Sequence, residues 1–199
     1  WAELTGRRMA DGGGLVGGWR DVTTDVHAQK ALESQARHDD LTGLLNRSEI
    51  RTHLQKALQR ASRVSVLYVD LDNLKDINDT HGHAAGDRAL EVTAQRIKAC
   101  LHDGDLAARI GGDEFLVVLA EDRDPLTASR DILAAVEASI PSDTGPLTSS
   151  VSIGLASASA ADSVDTLIAR ADQAMYEAKS AGRNRIVAIG PPGGAQGSG

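Results

Sequence analysis

Aromatic side chains make up only 3% of the 199 residues, and cysteine occurs once, at Cys100. So small an aromatic stock argues against a surface that stacks nucleic-acid bases. A balance of 28 acidic against 21 basic side chains leaves a net charge of −7, the wrong sign for a groove that tracks a phosphate backbone. No nucleic-acid partner is expected, and any phosphate ligand must be met by local devices. One cysteine forms no internal disulfide and no thiolate zinc cluster, and it fits a reducing, cytoplasmic compartment. The longest apolar runs, around Leu67 and from Phe115 to Ala120, are too short to cross a bilayer. No basic-then-apolar leader opens the chain. Direct membrane contact is not expected of this stretch. The opening Trp1 in place of methionine suggests a longer polypeptide whose earlier part holds a sensor or membrane anchor.

What is present is globular: 41% apolar and 25% charged residues, in a length that suits one domain with a short appendage. Residues 1–24 read as a glycine-rich hairpin, too short to fold alone, or equally as a disordered stub. Residues 26–37 favour a connector helix without a sustained heptad. Ile50, Leu54, Leu58 and Ala61 form a helical stripe, Val64 to Asp70 reads as a buried strand, and Leu90, Ala94, Ile97 and Leu101 return to helical spacing, with Cys100 beside them as a core thiol. Leu106–Ile110 and Glu114–Ala120 flank Gly111 and Gly112 as a hairpin. A helix carrying Leu126, Leu133, Val136 and Ile140 follows, then a strand with Val151, Ile153 and Leu155 on one face. The cleanest amphipathic helix runs through Val164, Leu167, Ala171, Met175 and Ala178 to a stop at Gly182, with a last strand over Ile186–Ile189 and a flexible tail over 191–199. This order predicts an α/β (α+β) layered domain around one core over residues 37–190.

The chemistry collects at strand ends and in one polar segment. Asp70 closes an apolar strand, where a carboxylate is costly unless solvated, paired or bound to a cation. Asp113 and Glu114 follow the glycine pair. If the strands are neighbours, the three carboxylates converge into an oxygen donor set suited to magnesium or manganese. Read alone, a strand-end Asp or a Gly-Gly-Asp-Glu turn is more often a structural feature. The segment from Asp70 to Asp87 is dense in Asp72, Lys75, Asn78, Asp79, His81, His83 and Asp87, and reads as a functional loop. An Asp or Asn there is able to accept the adjacent N1–H and N2–H donors of guanine. From spacing alone, Asp79 and Asp87 read first as helix caps, and His81 with His83 is a weak metal-pair signal. Lys179, Arg183 and Arg185 suit either a helix C-terminal dipole or a triphosphate.

Five ordered strings, LTGLLNR (Leu41–Arg47), DLDNLKDINDTHGHAAGD (Asp70–Asp87), RIGGDEF (Arg109–Phe115), SIGLA (Ser152–Ala156) and ADQAMYEAKSAGRNR (Ala171–Arg185), closely resemble the GGDEF family of diguanylate cyclases over residues 37–190. Ahead of them, GLVGGWRDVTTD (Gly14–Asp25) resembles the closing strand and exit motif of a PAS sensor domain. The resemblance implies four segments: a PAS-like remnant over 1–25, a connector over 26–37, the catalytic domain over 38–190 and the tail over 191–199. It implies a central, mainly antiparallel five-stranded sheet flanked by helices, related to nucleotidyl cyclases and polymerase palms.

The implied reaction condenses two GTP, one on each subunit of an antiparallel homodimer, into cyclic di-GMP with release of pyrophosphate, under control of an upstream sensor. Asp70 and Asp113, with the carbonyl of Leu71, would hold Mg2+ (or Mn2+), and Glu114 would serve as metal ligand or as base for the attacking hydroxyl. Gly111 and Gly112 would let backbone approach the phosphates; Lys75, Lys179 and Arg183 would neutralise them; Asn78 and Asp87 would read guanine. Members subject to product inhibition carry Arg-x-x-Asp ahead of the glycine pair. Here that place reads His102 to Asp105, a degenerate inhibitory site without the arginine fork, so inhibition is expected to be weak or absent. Leu74 replaces a usual phenylalanine and His81 a common aromatic. The alternative is a catalytically weak domain that binds GTP or cyclic di-GMP as a receptor module.

Overall fold

The computed structural model describes residues 37–60, 63–140 and 146–190 in full, and before them the strands β1 (Ala2–Arg8) and β2 (Leu15–Asp21). The chain divides into two compact units, Trp1–Arg37 and His38–Gly199. In the first, β1 and β2 form an antiparallel hairpin with Ala2 opposite Asp21 and Arg8 opposite Leu15. The connector expected over 26–37 lies outside the described residues up to residue 36, as does the tail over 191–199.

The second unit is a mixed sheet with helices on both faces. Its strands are β3 (Leu45–Asn46), β4 (Ser65–Leu71), β5 (Leu106–Arg109), β6 (Glu114–Leu119), β7 (Val151–Ser157) and β8 (Arg185–Ile189). Its helices are α1 (Arg47–Arg60), α2 (Leu74–His81), α3 (His83–Ala99), α4 (Pro125–Glu137) and α5 (Val164–Ser180). The strand order is β3-β5-β6-β4-β7-β8, six strands rather than the five expected. The extra member is β3, two residues paired in parallel with Ala108 and Arg109 of β5. Two residues carry no alternation, so no sequence pattern marks them. The β4–β6, β4–β7 and β5–β6 pairs are antiparallel, and β7–β8 is parallel.

Because side chains alternate along β4, the sheet separates two cores rather than enclosing one. Leu67, Val69 and Leu71 face α3 and α4 in one cluster with Leu90, Ile97, Ile132 and Val136. Val66 and Tyr68 face α1 and α5 in the other, with Ile50, Leu54, Leu167 and Met175. Central β4 is almost wholly buried because it has a strand on each edge and a helix layer on each face. The helix ends follow local chemistry. Asp124 caps α4 by accepting from the Thr127 N–H at 2.7 Å, and Pro125 fills the first helical position. Ser163 and Thr166 form a reciprocal capping box on α5. At the far end of α4, the Arg96 guanidinium donates to the carbonyls of Val136 at 3.0 Å and Ser139 at 2.8 Å, satisfying orphan acceptors.

One contact sets the position of α5. A Cβ on Gly154 of β7 would overlap the carbonyl oxygen of Ala171 and the amide nitrogen of Met175, so helix backbone lies directly on strand backbone. Beside this contact, Asp162 accepts from the Ser159 N–H at 2.7 Å, the Ser159 hydroxyl at 2.9 Å and Arg170 Nη2 at 2.6 Å. Arg170 also donates to the carbonyls of Ser157 at 2.7 Å and Gly190 at 3.1 Å, tying the ends of β7 and β8 to α5. Burial acts to raise the Asp162 pKa, but the Ser159 and Arg170 hydrogen bonds outweigh it and hold the carboxyl below its ordinary value.

Two outcomes are expected. Gly154→Ala, which forces backbone apart, costs about 1–3 kcal/mol or more in urea unfolding. Asp162→Asn costs about 1–3 kcal/mol at pH 7. A carboxyl lowered in the native state stabilises above its unfolded pKa, so the deficit of Asp162→Asn shrinks as pH falls through and below the ordinary carboxylate range. Melts of parent and variant between pH 3 and 7 read this directly.

Candidate functional site

The alternation that sends Val66 and Tyr68 toward α5 also sends Asp70 there, at the end of β4, opposite Glu114 of β6 and Ser152 of β7. Asp70 is only 3% exposed. Lys179, in the last turn of α5, reaches it with Nζ 2.7 Å from Oδ2. The other oxygen, Oδ1, is buried with no hydrogen-bond partner among the described residues. Burial pushes the Asp70 pKa up to about 6, against the Lys179 hydrogen bond, with the nearby charges of Asp113 and Asp72 adding to the rise. A buried, unsatisfied carboxylate oxygen beside further carboxylate charge is a poor arrangement for stability and a suitable one for a hard cation.

The β5–β6 hairpin brings the second group of carboxylates. Leu71 N–H donates to the Asp113 carbonyl at 2.9 Å, fixing the turn against the end of β4. Arg109 Nη2 donates to the Gly112 carbonyl at 2.7 Å, and Arg109 Nη1 pairs with Asp39 at 3.3 Å. Asp39 in turn accepts from the Thr42 N–H and hydroxyl at 2.9 and 2.7 Å, which joins the LTGLLNR segment to the hairpin. Glu114 stands beside Tyr68, whose phenol pKa is raised by burial and then by the Glu114 carboxylate. Asp113 acts on Asp70 electrostatically, yet among the described residues no three acidic, His or Cys side chains gather closely enough to form a ligand cluster. The carboxylates therefore share one end of the sheet without closing around a point. Gly112 has a negative φ and nothing within 4 Å of an added Cβ, so nothing in the described chain demands glycine there. An approach from outside would.

The polar segment after Asp70 is mostly helix, not loop. α2 and α3 occupy residues 74–81 and 83–99, separated by Gly82 at φ 83°. Only Ile77 of α2 is buried, so the helix carries no apolar stripe to mark it. Asp79 and Asp87 cap nothing: the residues ahead of the two helices are Asn73 and Gly82, and Asp79 and Asp87 lie within α2 and α3. α3 also begins at His83, well before the helical spacing that opens at Leu90, because Gly82 ends one helix and opens the next. Lys75 is exposed in the first turn of α2. Asn78 on α2 packs on Gly86 of α3 so closely that a Cβ there would collide with the amide; Asp87 follows Gly86 in α3. His81 and His83 belong to no metal-holding cluster among the described residues.

In the sequence, Asp72 stands out no more than the other polar residues of its segment. The structure buries it to 1% exposure at the turn into β8, where it accepts from the hydroxyls of Ser150 and Ser152 and from the Asn184 N–H. Arg183 is exposed beside it, with Nε 4.0 Å from Asp72 Oδ1. The signal was present in the alternating Asp70/Asp72 and Ser150/Ser152 pairs, one facing the other across β4 and β7. At the opposite end of the sheet, Asp105 is buried and accepts from the His102 N–H at 2.9 Å and the Ala120 N–H at 2.8 Å. Arg123 lies there too, paired with Asp131 at 3.0 Å and contacting His102 Nδ1 at 3.1 Å. Its guanidinium is committed to the protein, with only 11% of the side chain exposed.

The family model described as "Diguanylate cyclase, GGDEF domain" matches residues 36–185. The chain is 37% identical over 175 residues to diguanylate cyclase DgcM of Escherichia coli, covering 84% of this chain and 42% of DgcM. It is 40% identical over 185 residues to diguanylate cyclase TpbB of Pseudomonas aeruginosa, covering 87% and 42%. A cyclic di-GMP phosphodiesterase, NbdA of the same species, is 33% identical over 165 residues, 21% of its length. The chain thus spans less than half the length of these curated relatives. Among solved structures, the coiled coil and GGDEF domain of DgcB from Caulobacter crescentus in complex with c-di-GMP superposes at TM-score 0.79 with 27% identity, covering 85% of this chain and 94% of that one. The GGDEF domain of TpbB superposes at 0.73 with 39% identity, covering 76% and 93%.

Relieving the buried charge has an expected effect on stability. At pH 8 without divalent cations, Asp70→Asn melts above the parent by the equivalent of about 1–2 kcal/mol. Added Mg2+ raises the melting temperature of the parent and leaves Asp70→Asn unmoved, as thermal melts with and without the ion would read.

Proposed function

The chain belongs to the GGDEF family of diguanylate cyclase domains, and from that membership we propose that it condenses two GTP into cyclic di-GMP and pyrophosphate. One observation carries the reading: Asp70, buried at the sheet end with an unsatisfied oxygen, meets Lys179 on one side and the glycine hairpin with Asp113 on the other. A cation-and-phosphate site requires that combination; a purely structural strand end does not. Asp70, Asp113 and the Leu71 carbonyl are the oxygen donors that would hold Mg2+ (or Mn2+), which when bound stabilises charge on attacking and leaving oxygens.

The chain's own groups do the rest. Glu114 takes the proton of the 3′-hydroxyl that attacks the α-phosphate of the second GTP. The exposed backbone at Gly112 leaves room for the triphosphate, and Lys75, Lys179 and Arg183 neutralise it. Asn78 of α2 and Asp87 of α3 accept from guanine, which adenine cannot match. One such site holds one GTP, so the reaction needs two protomers, aligned by the connector and by a sensor of which β1 and β2 are the PAS-like remnant. A cytoplasmic setting supplies GTP. Arg123, committed to Asp131 and His102, is a poor substitute for the missing inhibitory arginine, so product accumulates without strong feedback.

The test is incubation of concentrated protein with GTP and Mg2+, and separately with ATP, with nucleotides resolved by chromatography. The expected product is cyclic di-GMP from GTP alone, with specific activity that rises with protein concentration. Asp113→Ala/Glu114→Ala lowers it by at least about a hundredfold. GTP binding and dimerisation without product would instead support the receptor reading.

A further inference from the structure

We propose that Asp72 is a positioning residue: it anchors the turn into β8 and thereby aims Arg183 and Lys179 at the triphosphate. The inference rests on the reading of this site as a GTP site and adds a residue to it. Asp72 is 1% exposed, a costly place for a carboxylate. Its partners are neutral donors drawn from two elements: Ser150 Oγ at 2.7 Å and Ser152 Oγ at 2.8 Å on or beside β7, and the Asn184 N–H at 3.2 Å in the turn. They satisfy its hydrogen bonding. Arg183 stands beside it, with Nε at 4.0 Å and the side chain half exposed.

The turn needs an anchor. Arg183 and Asn184 stand in succession at φ 59° and 44°, a left-handed pair without glycine that persists only where surrounding contacts hold it. Arg183 N–H returns to the Ala178 carbonyl at 3.1 Å, so the turn is continuous with the helix end that carries Lys179. The Asn184 amide donates to Glu137 at 3.0 Å, but that contact is exposed. Asp72 is the buried attachment. Without it the turn relaxes, and the helix end and the Arg183 guanidinium lose their common reference to the sheet end where Asp70 lies.

A residue needed only for folding would weaken every ligand alike, whereas a residue that aims phosphate-binding cations weakens the triphosphate selectively. The readout is therefore the ratio of GTP to GMP affinity, taken by titration with Mg2+ on the parent and on variants verified as folded by their melting curves. Asp72→Ala is expected to lower the ratio about tenfold, and Asp72→Asn, which keeps an acceptor for the Asn184 N–H, to stay within about threefold of the parent. Should Asp72→Ala not fold, the milder Ser150→Ala/Ser152→Ala pair carries the test, with an expected loss of about threefold in the same ratio. An unchanged ratio in the folded variant overturns the proposal, and so does an Asn variant that falls as far as the Ala variant. A parent that does not prefer GTP over GMP overturns the reading of the site itself, before any variant is made.

Discussion

The seating of α5 on β7, backbone against backbone at Gly154, is the constraint on which the rest of the domain depends. It brings the helix close enough for a lysine in its last turn to reach Asp70 across the face of the sheet, at 2.7 Å. It also determines where the chain leaves the helix, and so where the turn through Arg183 and Asn184 meets Asp72. With a larger residue at that contact the helix would ride higher on the sheet. Lys179, Arg183 and the carboxylates would then no longer share one end of it.

That end of the sheet is electrostatically expensive. Asp70 and Asp72 are buried two residues apart on the same face, with Asp113 close enough to raise the Asp70 pKa. The domain offsets this with hydrophobic cores on both faces and with buried ties such as Arg170 to Asp162 and to the ends of β7 and β8. Stability is drawn from the layers and spent in one place, which is the usual sign that a ligand completes the arrangement.

Much of this was legible in the sequence where a physical period exists. The strand expected over Val64–Asp70 is observed at Ser65–Leu71, and the hairpin around Gly111 and Gly112 pairs Arg109 with Phe115. The amphipathic helix ending before Gly182 is α5, with Gly182 at φ 116° as its stop. Patterns without a period were misread. α2 buries a single residue, so its polar text looked like a loop, and β3 is too short to alternate. The two cores looked like one because composition does not record which face a strand residue takes. Asp72 escaped notice for a different reason: its partners Ser150, Ser152 and Asn184 are distant in the chain, the last by 112 residues, and only folding makes them neighbours.

The topology also dictates when in synthesis the site comes into being. Central β4 emerges early, but its two neighbours in the sheet, β6 and β7, follow only after long intervening segments, a high-contact-order arrangement that folds slowly. A nascent chain that has passed β6 holds the aspartates and the glycine turn, yet β4 still shows an open, apolar edge prone to mispairing. Lys179, Arg183 and the anchor for Asp72 all arrive in the last stretch. A truncated or stalled product is therefore left with the carboxylates of the sheet end and, of the three cations, Lys75 alone, and the ribosome completes fold and site together.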